Sequence, residues 1–101
     1  MKEKILFIKK STRPEKKYMA AVQYYQAKPK TIHFGAKDYE QYRDSTKLKL
    51  YSSKNHLDKK RRENYFRRHS GVSNKREALH KEIKKSNGKY NAKILSHKYL
   101  W

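Results

Sequence analysis

The chain has 101 residues, no cysteine, and a net charge of +19 from 28 Lys and Arg against nine Asp and Glu. Disulfides and thiolate metal sites are excluded, and no apolar run approaches the roughly 20 residues that span a bilayer. Hydrophobic residues make up only 35%, but aromatics reach 13% with nine tyrosines, so one small domain with a thin, tyrosine-rich core is expected rather than a disordered tail.

In chain order, residues 3–10 (EKILFIKK) are apolar and short and read as a buried strand. The apolar run ILFI within it is too short for a signal-peptide core, so the sequence predicts a soluble, unsecreted protein. Pro14 sits in the turn that follows. Residues 16–25 (KKYMAAVQYY) alternate: Tyr18, Ala20, Val22 and Tyr24 share one face, Met19, Ala21, Gln23 and Tyr25 the other. With Tyr24 and Tyr25 on opposite faces, one of them must point away from the core. A loop at 26–30 leads to 31–35 (TIHFG), where Gly35 ends the strand. Three short strands joined by tight loops predict an antiparallel meander.

The pattern then changes. Tyr39 and Tyr42 stand at helical spacing in 36–43, enough for one or two turns. Residues 44–56 form a polar connector whose Leu48, Leu50 and Tyr51 should dock on the core. Helical stretches follow at 57–69, 74–86 and 91–100, with Asn74 and Glu77 as a capping pair and Gly71 and Gly88 marking the breaks. The expected fold is α+β: a three-stranded antiparallel sheet over about 3–35, followed by three or four short helices packed on one face. The whole forms a single domain, with 44–56 as connector and 57–101 as its more basic part.

Residues 59–71 (KKRRENYFRRHSG) hold six cations and two aromatics. On a helix at about 100° per residue, Arg62, Tyr65, Phe66 and His69 fall on one side, suited to packing on the sheet. Lys60, Arg61, Asn64, Arg67 and Arg68 fall on the other. That cationic stripe can neutralise phosphates, and an Asn within it can pair with a base edge. The plainer reading is a solvated helix back, supported by i,i+4 pairs Asp58–Arg62 and Glu63–Arg67. Lys9, Lys10, Arg13, Lys16 and Lys17 surround the first turn as a second group of candidate phosphate contacts. The segment 74–86 buries Leu79 and Ile83 and turns Lys81, Lys84 and Lys85 outward as a solvated face.

So large a positive excess repels itself unless a polyanion lies nearby. The five histidines show no metal-ligand spacing, the few acids are scattered, and three glycines make no phosphate loop. Neither a catalytic residue nor a metal or other cofactor is expected. Tyr99, Leu100 and Trp101 crowd the C-terminal end, which either packs back on the domain or contacts another protein.

The segments STRPEKKYMA (11–20), IHFGAKDYEQY (32–42), KKRRENYFRRHSG (59–71) and KILSHKYLW (93–101) resemble a family of small basic proteins of large DNA viruses of algae and protists, the phycodnavirus- and mimivirus-like group. The resemblance implies a place in the virion or the infected host cell, either on the genome or in the shell, and carries no catalytic residue. A non-enzymatic, phosphate-directed nucleic-acid-binding protein is expected, with DNA favoured over RNA by that resemblance alone. The alternative is a virion structural protein, a minor capsid or inner-shell component cementing larger, acidic subunits. A ribosome- or RNA-associated protein fits the composition equally well.

Overall fold

A computed structural model describes all 101 residues. Strands β1 (Glu3–Lys10), β2 (Lys16–Tyr24) and β3 (Lys30–Ala36) form one antiparallel sheet in the order β1-β2-β3. Helices α1 (Lys59–Ser70), α2 (Lys75–Lys85) and α3 (Ala92–Tyr99) follow, and the α+β class read from the sequence is the one observed. No helix is long and apolar enough to cross a membrane.

Strand alternation builds the core. Tyr18 lies opposite Phe34, Ala20 between Ile8 and Ile32, and Val22 opposite Ile5, so these side chains share one face. Tyr90, with Ile94 and Leu95 of α3 and Leu100 beyond it, closes over that face. β1 is less buried than its composition suggests. It is an edge strand whose register slips between Ile5 and Phe7, leaving Leu6 and Phe7 exposed. The opposite face, with Phe7, Lys9, Met19 and His33, is only partly covered. Both Tyr24 and Tyr25 are exposed at the end of β2.

The segment 36–43 is not helical. The chain turns at 37–39, and Gln41 bridges to Asn55. Tertiary hydrogen bonds overrule the spacing of the two tyrosines: Gln41 Nε2 donates to Tyr51 O and Asn55 Oδ1. Three residues on, the buried Asp44 carboxylate accepts from Tyr18 OH, Thr46 N, Thr46 Oγ1 and Tyr51 N. Burial, reinforced by the bond to Asp44, pushes the Tyr18 phenol up to about 12, so it remains a donor. Tyr51 docks edge-on against Tyr18, as expected of the connector. Leu48 and Leu50 do not; they are exposed, because polar groups rather than these side chains anchor this stretch.

Helix α1 starts at Asp58, whose carboxylate accepts from the Lys60 and Arg61 amides, and stops at Gly71 with φ +73°. With Asp58 spent as a cap, the expected Asp58–Arg62 pair does not form. Arg62 instead lies over the Tyr42 ring and donates to Trp101 O. No ion pair joins Glu63 to Arg67 either. The inner side of α1 does not reach the sheet as expected; Tyr65 and Phe66 pack against Ala78 of α2 and against Trp101. Asn74 and Asn91 cap α2 and α3 by accepting from Glu77 N and Ile94 N.

Where the three helices meet, Ser70 Oγ donates to Glu82 Oε2 at 2.9 Å and lies 2.8 Å from His97 Nε2. The serine proton is therefore used, so His97 Nε2–H donates to Ser70 Oγ. His97 Nδ1 then accepts from Tyr65 OH at 2.9 Å. This chain requires a neutral His97. Burial lowers its pKa to about 4, the nearby cations and His69 acting in the same direction and the Glu82 carboxylate opposing.

Unfolded, this histidine takes up its proton near pH 6.5, but in the fold only near 4. Stability is accordingly lost as pH falls below about 6.5 and the loss is complete near 4, on the order of 3 kcal/mol for this group. Urea denaturation at pH 7 and 4.5 should show this, with His97→Gln flattening the dependence. Gly35 offers a second check. Its φ is +81°, and an added Cβ would lie 2.8 Å from Leu100 Cδ1. Gly35→Ala should cost roughly 2 kcal/mol in the same assay.

Candidate functional site

Helix α1 presents two cationic surfaces rather than one. Lys60, Asn64 and Arg67 are exposed on its outer side, and none of them makes a side-chain hydrogen bond or ion pair within the chain. Arg61 and Arg68 lie on the neighbouring side and face a cleft of about 780 Å³. The remaining walls come from Lys16 and Lys17 of β2, Gly35 and Ala36 of β3, residues 38–40, and Ala92, Lys93 and Ser96 of α3, with Leu100 and Trp101 beyond it.

Both signs of charge line the cleft. Arg61, Arg68, Lys93 and Lys16 approach it from the helices and β2, while Asp38, Tyr39 and Glu40 form one lip. Arg61 Nη1 reaches Glu40 Oε1 at 3.1 Å, but both groups are about half exposed and their pairing contributes little. Lys93 Nζ is 3.8 Å from Glu82 Oε1 and donates to His69 O. His69 also lines the cleft. Burial lowers its pKa, and Arg68 and Lys93 lower it further, so the imidazole is neutral near pH 7.

The supply of carboxylates explains why most of the cations are unpaired. Asp44 and Glu82 are buried acceptors, as is Glu3, which takes hydrogen bonds from Tyr90 N and Lys30. Asp58 is a cap. Only three of the 28 Lys and Arg residues reach an Asp or Glu carboxylate. With so few acids outside, the surface is more cationic than the bare count of acids suggests.

The structure redistributes the sequence candidates. Lys9, Lys10 and Arg13 are exposed around the first turn but do not line the cleft, whereas Lys16 does. Lys17 is not a surface contact. It is 1% exposed, and its ammonium donates to Tyr39 O and Gln41 Oε1. Burial and the nearby Lys54 charge lower its pKa to about 8, Asp44 opposing them. The reason is topological: residues 39–41 fold across a position that strand alternation leaves open.

Of the C-terminal residues Tyr99, Leu100 and Trp101, Leu100 is buried in the chain's own core, while Tyr99 and Trp101 pack against it and stay partly exposed. Leu100 is 1% exposed, Tyr99 O and Leu100 O accept from Ser45 N and Arg43 N, and Trp101 stacks on Tyr65 at 4.1 Å between ring centres. Tyr39, His69 and Lys93 were not legible as site residues. The one local signal that could have pointed to the lip is the density of polar and aromatic side chains in DYE (38–40), which on sequence alone reads only as part of a helical turn.

The chain is similar to a family of unknown function (DUF5754) over residues 6–47. That stretch covers the sheet except the first three residues of β1, the Asp38–Glu40 lip and Asp44, and ends before α1. No curated protein and no solved structure matches the chain.

With Lys17 as a strut, Lys17→Met should remove the donor from Tyr39 O and from the buried Gln41 Oε1 and lower stability by roughly 1–3 kcal/mol. The salt dependence of polyanion binding should stay unchanged, as titration of the variant at several ionic strengths would show.

Proposed function

We propose that the protein binds nucleic acid without catalysis, mainly through phosphates. The observation that carries this reading is the outer side of α1, where exposed Lys60 and Arg67 flank Asn64 with no carboxylate engaging either cation. Arg61 and Arg68 extend the surface towards the cleft, and Lys9, Lys10, Arg13 and Lys16 supply further positive charge from the first turn. Such an arrangement releases counterions when it meets a phosphate backbone, which makes binding strongly salt-dependent. DNA is favoured over RNA by the resemblance to proteins of large DNA viruses, which also suggests the virion or the infected cell as its setting.

The reading as a minor capsid or inner-shell component has less support. In it the basic surface would cement acidic neighbours, and exposure of Tyr99, Leu100 and Trp101 would favour it; Leu100 is buried and the two rings are partly packed within their own chain.

Titration of a fluorescent duplex across salt tests the proposal. Six to ten phosphate contacts predict a roughly thousandfold or greater loss of affinity between 50 and 200 mM salt. Lys60→Ala and Arg67→Ala should each reduce the slope of log affinity against log salt by about one. Affinity that scarcely responds to salt would reject the reading.

A further inference from the structure

The cleft and the outer side of α1 suit different parts of a nucleic acid. A convex helix surface can follow a phosphate backbone, but a recess of about 780 Å³ lies in the ~300–1,000 Å³ range of sites that enclose small molecular units. Bases paired in a duplex present only their groove edges. An unpaired base can leave the stack and lie on an aromatic ring.

Tyr39 is suited to receive one. Its side chain belongs to a residue that is 73% exposed, and its ring packs against no other aromatic ring. Its backbone, by contrast, is held on both sides of the Cα: Lys17 Nζ donates to Tyr39 O at 2.6 Å, and Tyr39 N donates to Ala36 O. An exposed ring on an anchored backbone can take a base without displacing another side chain. The other aromatic rings lining the cleft are already occupied, since Tyr65 and Trp101 stack on each other.

Charge then orients the ligand. The lip that carries Tyr39 also carries Asp38 and Glu40, the latter paired with Arg61, whereas Arg68 and Lys16 line the same cleft with no carboxylate in ion-pair reach and Lys93 lies beside them. We propose that the cleft receives one unpaired nucleotide of a nucleic-acid strand, its base laid on the Tyr39 ring and its phosphate directed to Arg68, Lys93 and Lys16. This rests on the nucleic-acid reading above. The ligand is part of a strand rather than a free nucleotide because the cationic surface does not stop at the rim. Beyond Arg68, the exposed Asn64, Arg67 and Lys60 continue it along α1, where the neighbouring phosphates of a strand can lie.

The test uses the intact chain and two fluorescent DNA probes at one salt concentration: a blunt duplex, and the same duplex with a short single-stranded overhang. The overhang should bind about five- to a hundredfold more tightly, the range expected for stacking of a base. Tyr39→Ala should abolish the difference between the probes and Tyr39→Phe should keep it, with thermal melting confirming that both variants fold. Arg68→Ala should weaken binding of the overhang probe more than binding of the blunt one. Equal affinity for both probes, still lost with salt, would overturn the cleft proposal and leave the broader reading standing. Failure of both probes to bind would overturn both. Adenosine monophosphate displacing the overhang at similar concentrations would assign the cleft to a free nucleotide and overturn the strand proposal.

Discussion

The buried carboxylate of Asp44 is the constraint on which the rest of the architecture hangs. Four donors converge on it from Tyr18 in the central strand and from Thr46 and Tyr51 in the connector. A buried charge is tolerated only when hydrogen bonds replace the water it has lost, so this one acid dictates where the connector runs. Once the connector is seated, Arg43 N and Ser45 N can hold the carbonyls of Leu100 and Tyr99. Leu100 then fills the space above Gly35, and Trp101 becomes the stacking partner of Tyr65 on α1. The position of the basic helix is thus set through a relay that begins in the sheet.

A protein of this charge has to economise on acids. It spends several of them inside: Glu3 on the Tyr90 amide, Asp44 on the connector, Glu82 on Ser70 and Lys93. Each serves as a fixed acceptor where an unpaired polar group would be costly. The result is a molecule whose interior is held by carboxylates and whose exterior is largely left to ammonium and guanidinium groups. Fold stability and surface potential therefore draw on different residues, and changes at Lys60 or Arg67 leave the internal networks untouched.

Local pattern made a good part of this legible. The alternation of Tyr18, Ala20 and Val22 placed the core face of β2, and Asn74, Gly71 and Gly88 marked helix ends close to where they occur. The misses share a physical cause. Lys17, Arg62 and the C-terminal aromatics owe their surroundings to partners 20 to 65 residues away in sequence, from Tyr42 under Arg62 to Phe34 beside Tyr99, and no local window contains both members of such a pair. Tyr39 and Tyr42 show the reverse failure, in which spacing suggested a helix that buried side-chain hydrogen bonds of Gln41 replaced with an extended bridge. The outer stripe of α1 could be read because a helical surface depends only on periodicity. The cleft could not, because it is made from β2, β3, the 38–40 turn, α1 and α3 together.

The bulged strand β1 carries a further implication. Its outer edge is unpaired in the sheet, and Lys2, Lys4, Lys9 and Lys10 lie exposed on or beside it. Lysines and irregular register are the means by which edge strands resist docking onto a second copy. Positive charge on this strand thus guards against aggregation whatever else it binds, and stripping it away to weaken an interaction would also uncover a surface prone to self-pairing.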